Sequence, residues 1–110
     1  MEVPRDSLLL RIFIGESDRR DGKLLYEWIV RQACEQGLAG ATVTRGVMGF
    51  GKHSILHTAK ILRLSEDLPM IVEIADSLER IEKFMPLLSE MITDGLVTLE
   101  QVRVIHYKAS

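Results

Sequence analysis

Leu8-Leu9-Leu10-Arg11-Ile12-Phe13-Ile14 decides how the rest of the chain is read. It is short and apolar, and Gly15 closes it, so it reads as a buried strand. Glu16-Ser17-Asp18-Arg19-Arg20-Asp21-Gly22 follows as a charged, turn-forming segment. Asp21 is the expected N-cap of a first helix, because a carboxylate there accepts free N–H groups of the first turn. From Lys23 to Gln36 the period is helical: Leu25, Ile29 and Ala33 share one face, widened by Tyr26, Trp28 and Val30. Gly37 suits the left-handed position just past a helix end.

Ala41 to Met48 reads as a second strand, and residues 49–65 show no clear period. Met70-Ile71-Val72-Glu73-Ile74-Ala75 is a third strand entered through Pro69, a place where proline costs no needed ladder bond. Asp76-Ser77-Leu78-Glu79 resembles a helix start with a capping box. Leu78, Ile81, Phe84 or Met85, Leu88, and Met91 or Ile92 form the apolar stripe. Pro86 is expected to kink or divide this helix. Gly95 ends the segment, and Leu99 to Tyr107 alternates as a fourth strand, with Ile105 and Tyr107 on one side.

The order β-α-β-β-α-β predicts an α+β, ferredoxin-like split-βαβ fold, with a four-stranded antiparallel sheet and both helices on one face. One domain over residues 1–110 is expected, with residues 1–7 as an N-terminal tail. Leu8, Leu10, Ile12 and Ile14 are free to point at the helices. That leaves Leu9, Arg11 and Phe13, with Ile71 and Glu73 or else their neighbours, and Ile105 and Tyr107, on an uncovered face. An apolar patch of that size marks an interaction surface. Burying one such side chain contributes about 1.5–3 kcal/mol, so the face is expected to pack against other copies of the chain.

The 110 residues carry a net charge of −2 and one cysteine. A nucleic-acid binder usually shows a basic excess, so none is expected. A lone Cys34 forms no internal disulfide, which suits a reducing compartment. It is expected to be buried and inert beside the apolar face of the first helix. No apolar run reaches the roughly 18 residues of a membrane span, and the acidic N-terminus does not read as a signal peptide. A soluble, cytoplasmic protein is the expectation.

Gly46-Val47-Met48-Gly49-Phe50-Gly51-Lys52-His53 carries the strongest chemical signal. Three glycines in six residues let the backbone turn sharply and approach a ligand, with free N–H groups for phosphate oxygens and Lys52 as a point charge. The spacing is neither a Walker A loop nor a dinucleotide fingerprint; the plain alternative is a strand-ending loop. Arg45 and Arg63 flank the stretch and suit a phosphate or carboxylate, or else a surface ion pair. His53 and His57 have the spacing of two metal ligands on one helical turn, but further ligands are not evident. Ser54 beside His53 lacks the surroundings of a catalytic triad. Glu16, Asp18, Asp21, Arg19 and Arg20 form a charge cluster that is either a solvated loop or the lining of a pocket.

Five runs together resemble a small uncharacterised family related to the PII signal-transduction proteins: residues 11–19 (Arg-Ile-Phe-Ile-Gly-Glu-Ser-Asp-Arg), 38–43, 45–51, 64–69 and 95–98. The resemblance spans about residues 7 to 107. Gly49-Phe50-Gly51 after the second strand and Leu68-Pro69 before the third extend it to the PII proteins. Those are trimers of ferredoxin-like subunits that bind adenine nucleotides between subunits and dock on transporters or enzymes through a long loop. The resemblance thus implies a mobile loop at residues 49–64 with Arg45 to His53 at its base. In place of the glycine-rich, lysine-bearing turn of PII stands Thr93-Asp94-Gly95-Leu96-Val97-Thr98. The missing lysine favours a mono- or diphosphate, or a different ligand, over a triphosphate. The loop also holds no tyrosine to be modified.

The expected protein is a regulatory homotrimer rather than an enzyme. It binds a small anionic ligand, an adenine nucleotide, at subunit interfaces and acts on a protein or membrane-transporter partner through the loop. Arg45, Gly46, Gly49, Phe50, Gly51 and Lys52 are the expected ligand contacts; no catalytic residue, metal site or permanent cofactor is expected. The alternatives are a divalent-metal protein like CutA, using His53 and His57, a nucleotide hydrolase, and a purely structural oligomer.

Overall fold

In the computed structural model, which describes residues 2–51, 57–58 and 67–109, the first apolar stretch forms strand β1, Asp6–Gly15. It starts earlier than the sequence indicated, because Asp6 and Ser7 pair with Arg103 and Val102. The N-terminal tail therefore ends at Arg5, and Ser7 is buried with its hydroxyl donating to the Pro4 carbonyl at 2.7 Å.

A hairpin of β2 (Arg19–Arg20) and β3 (Lys23–Leu24) precedes helix α1, Leu25–Glu35. Asp21 and Gly22 form its turn with φ of 51° and 79°. Positive φ at both central residues is the hairpin geometry that Asp-Gly favours. Asp21 is thus a turn residue and not the helix cap. The cap position is Leu24, which makes no side-chain bond; instead the Leu25 N–H donates to the Asp18 carbonyl at 2.8 Å. Leu25, Ile29 and Ala33 face the core as expected. Gly37, at φ 80°, ends the helix in a Schellman motif: Gly37 N–H donates to Cys34 O and Leu38 N–H to Ala33 O, both at 3.1 Å. Cys34 is exposed rather than buried, since one step past Ala33 turns a side chain about 100° around the helix.

The expected second strand is two pieces, β4 (Thr42–Arg45) and β5 (Met48–Gly49), the latter paired with β6 (His57–Thr58). β4 stops because its next partner is Pro69, which has no N–H to continue the ladder; only Gly46 N–H to Pro69 O remains, at 2.7 Å. β7 runs Pro69–Asp76. Helix α2, Leu78–Met91, is capped by Ser77, whose hydroxyl accepts from Arg80 N–H at 3.1 Å. Arg80, not Glu79, therefore holds the third helical position, and the capping box does not close. Pro86 lies inside α2 without dividing it; it is exposed, as is Glu82, whose carbonyl loses its helical partner.

β8 runs Leu96–Arg103, earlier than expected. Its bounds follow from pairing with β1, from Leu96 opposite Phe13 to Arg103 opposite Asp6. Ile105 and Tyr107 fall beyond it. Ile105 is 83% exposed, and the Tyr107 hydroxyl donates to Ala39 O at 3.2 Å.

The sheet order is β4-β7-β1-β8, antiparallel throughout, which is the split-βαβ arrangement. Leu10, Ile12 and Ile14 of β1 and Met70, Val72 and Ile74 of β7 pack with Ile29, Ile81, Phe84 and Leu88 of the helices. Fully buried Asp76 ties this core to the loop after α1 and to the start of α2, accepting from Ala39 N–H at 2.8 Å, Ser77 N–H at 2.7 Å and the Arg80 guanidinium at 3.1 Å. No helix among the described residues is long and apolar enough to cross a membrane.

On the other face the register stacks three rows. Thr44, Ile71, Phe13 and Leu96 form the first. Thr42, Glu73, Arg11 and Thr98 form the second, and Ala75, Leu9 and Glu100 the third. Leu96, Thr98 and Glu100 thus take the places expected of Ile105 and Tyr107. Arg11 joins three strands, with Nε 2.8 Å from Glu73 and a terminal nitrogen 2.5 Å from Glu100. The Glu73 hydrogen bond, assisted by the charges of Glu100 and Glu73, holds the guanidinium above the ordinary arginine pKa.

Candidate functional site

Where β1 and β4 end and β7 begins, glycines let three backbones close on one another. A side chain at Gly15 would stand 2.8 Å from Oδ1 of Asp67 and 3.2 Å from Oδ1 of Asp18. Both carboxylates are tied to this turn: Asp18 accepts from Gly15 N–H at 2.9 Å and Asp67 from Ser17 N–H at 2.8 Å. Glu16 N–H donates to Leu68 O at 2.8 Å, which stitches the turn after β1 to the entry of β7.

The β4–β5 bend wraps the Pro69 ring in the same way. Side chains at Gly46 and Gly49 would lie 2.7 Å and 3.0 Å from Pro69 Cγ. Arg45 then reaches across to Glu16 at 2.7 Å and joins the two halves. The α2–β8 turn closes on this end too. Gly95, at φ 155°, lies where a side chain would be 2.9 Å from Phe13 O. The positive φ and the close approach both call for glycine.

Arg45, Gly46 and Gly49 lie together around Glu16 and Pro69, with Phe50 and Gly51 following them in the chain. Phe50 is 71% exposed, and Val47 and Met48 are exposed beside it, so Phe50 is not anchored in the core. Among the described residues nothing lies within 4 Å of where a side chain at Gly51 would be. Lys52, His53, Arg63 and most of the 49–64 loop lie outside the described residues. Among the described residues no group of His, Cys, Asp and Glu is arranged to hold a metal.

Sequence reasoning missed the parts played by Asp67 and Pro69. The available signal was Pro69 itself, a proline opening a strand opposite a glycine. Two carboxylates here are occupied by backbone N–H groups and the third by Arg45. Arg45 is still half open to water, so it is the described cation placed to meet an anion beside the glycine backbone.

The fold is α+β, a four-stranded antiparallel sheet with two helices in the split-βαβ order, and glycines line one end of it. The chain belongs to the DUF190 family, described as "Uncharacterized ACR, COG1993", whose pattern matches residues 7–104. It is 41% identical over 98 residues to a UPF0166 protein of Aquifex aeolicus, covering 89% of this chain and 92% of that one. A UPF0166 protein of Methanocaldococcus jannaschii is 35% identical over 97 residues, covering 87% and 89%. Among solved structures, CPII is similar to it with a TM-score of 0.61 and 17% identity, covering 90% of this chain and 88% of that one. CPII is a nitrogen regulatory PII-like protein from Thiomonas intermedia K12, there bound to ADP, AMP and bicarbonate.

Proposed function

We propose that this protein is a PII-like regulator that binds an adenine nucleotide at seams between copies of the chain and signals its occupancy through residues 49–64. The observation that carries this reading is Arg45, half exposed at the end of β4, held by Glu16 and followed directly in sequence by the Gly46–Gly51 stretch that bends around Pro69. A guanidinium offers five donors in a planar fork, enough to keep Glu16 and still take a phosphate oxygen. The Gly46 N–H is already given to Pro69 O, so backbone donation to the same oxyanion falls to the residues that follow it. The ADP- and AMP-bound state of CPII supports the choice of ligand.

The site lies at the end of the uncovered sheet face, one residue from the row of Ile71, Phe13 and Leu96. Copies that meet through that row bring their loop bases to the seam. Ligand binding then acts by population shift: contacts made only in one arrangement of the loop favour that arrangement, and a protein or membrane-transporter partner reads it. The reading is of binding without turnover.

Calorimetric titration with ADP and AMP, with and without bicarbonate, tests it. The wild type is expected to bind and to return the nucleotide unchanged. Arg45→Ala is expected to bind at least tenfold more weakly, the loss of one charge-assisted bond of about 1.5–3 kcal/mol. A failure of ADP and AMP to bind at millimolar concentration overturns the reading. Turnover lost in Lys52→Ala would instead mark a hydrolase, and stoichiometric copper binding lost in His53→Ala a metal protein.

A further inference from the structure

The C-terminal segment runs from the β8 edge of the sheet toward the β4 edge and walls off a hollow there. After β8, Val104 N–H donates to Arg5 O at 2.7 Å, and the chain then reaches the loop before β4, where the Tyr107 hydroxyl donates to Ala39 O at 3.2 Å. Ala39 is itself fixed, because its N–H donates to buried Asp76 at 2.8 Å. The hollow has a volume of about 380 Å³ and is bounded by Tyr107, residues 39–41, and Leu9, Thr42, Glu73 and Ala75 of the strands. It exists because small residues meet: Ala39, Gly40 and Ala41 on the loop side, and Ala75 beside Leu9 in the sheet register. Cavities that hold small ligands start at about 300 Å³.

The charge of the hollow selects its ligand. Among the described residues, Glu73 is the one charged side chain that lines it. Glu73 Oε2 accepts from Arg11 Nε at 2.8 Å, and no described residue donates to its other oxygen. Arg11 is shared with Glu100, so two carboxylates face one guanidinium and the row keeps one negative charge. An anion would add to that excess, whereas a cation relieves it. A bare metal ion lacks enough oxygen ligands here, since hard divalent cations take six or more. An organic ammonium ion needs only the carboxylate for its charge. Its alkyl part finds Leu9 and Ala75, and an aromatic ring such as that of Tyr107 attracts ammonium groups.

We propose that this hollow binds a small organic ammonium ion, its charged end at Glu73 and its apolar part against Leu9, Ala75 and Tyr107. The C-terminal segment is the wall that makes the site. The hollow lies toward the opposite end of the sheet from Arg45, whose setting suits an anion, so the chain carries two sites of opposite charge preference. This site does not depend on nucleotide binding at Arg45.

Nuclear magnetic resonance titration of the full chain, ¹⁵N-labelled, with butylammonium chloride tests it. Sodium butyrate serves as the anion of similar shape and potassium chloride as the control for ionic strength. Butylammonium alone is expected to shift the amides of residues 39–42, 73–75 and 107 saturably, with a dissociation constant of about 1 mM, the order reached by a ligand of so few atoms. Ala75→Leu fills the hollow without touching the Arg11–Glu73 bond, and Glu73→Gln removes the charge while keeping an acceptor. Each is expected to weaken binding at least tenfold. Circular dichroism shows whether each variant is folded; Ala75 is exposed, so Ala75→Leu decides the matter if Glu73→Gln does not fold. The absence of saturable shifts up to about 10 mM overturns the proposal. Equal shifts with butyrate or potassium chloride overturn it too, as does unchanged affinity in either folded variant.

Discussion

Arg45 and Glu16 meet at 2.7 Å, a contact between the last residue of β4 and the turn that follows β1. The pair spans the two halves of the candidate site, so it sets the position of the guanidinium before any ligand arrives. It also imposes a competition, because the carboxylate occupies donors that an anion would use. Glu16→Gln should weaken that hold while keeping a hydrogen-bond acceptor. Nucleotide affinity measured by calorimetry is expected to rise a few-fold, with a melting temperature little changed, since exposed pairs contribute about 0–1 kcal/mol. An affinity reduced to that of Arg45→Ala would show that Glu16 positions the guanidinium more than it competes for it.

Gly15 and Gly51 separate packing from ligand approach. Gly15→Ala forces a methyl group to within 2.8 Å of the Asp67 carboxylate, which is itself held by Ser17. Overpacking of this kind costs about 1–3 kcal/mol. Gly51→Ala meets no atom of the described residues within 4 Å. Denaturant unfolding should therefore show a lower midpoint for Gly15→Ala and an unchanged one for Gly51→Ala. Weaker nucleotide binding confined to Gly51→Ala would place the ligand against that backbone.

Asp76 is the test of what holds the far end of the sheet. Its carboxylate is fully buried and accepts from two backbone N–H groups and from Arg80. Asp76→Ala leaves Ala39 N–H and Ser77 N–H without that acceptor and removes the counter-charge of Arg80. The expected loss is about 3 kcal/mol, reduced from the range for wholly buried pairs because Arg80 reaches water. Urea unfolding measures it, and a loss below 1 kcal/mol would mean that water replaces the carboxylate.

Much of this architecture is legible in the sequence because its apolar patterning is strong. The alternation in β1 and the stripes of α1 and α2 point to the core that forms, while the apolar run of β7 leaves open which of its faces is buried until its pairing with β1 is known. The misplacements have local causes. Asp21-Gly22 reads equally as a helix start and as a hairpin turn, and only positive φ at both residues settles it. The apolar Val102, Val104 and Ile105 place β8 too late in the sequence, whereas its bounds depend on pairing with β1, a long-range fact. At the site, the glycines were visible from their spacing. The reason for Gly15 and Gly46 was not, because Asp67 and Pro69 reach them only through the fold.

Leu96 provides the sharpest test of the uncovered face. It lies opposite Phe13, is 58% exposed and continues the row that holds Ile71. An aspartate there stays hydrated in the lone chain, so Leu96→Asp is expected to leave the circular dichroism spectrum intact. Exposed positions away from special features tolerate substitution within about 0.5 kcal/mol. In an assembly the same carboxylate would be taken from water with no counter-charge in its row, a cost large enough to separate the copies. Light scattering at several concentrations should then give the mass of one chain for Leu96→Asp and a multiple of it for the wild type. A variant that keeps the wild-type mass would place the contact between copies on some other surface, and would remove the reason for joining the ligand site to the seam.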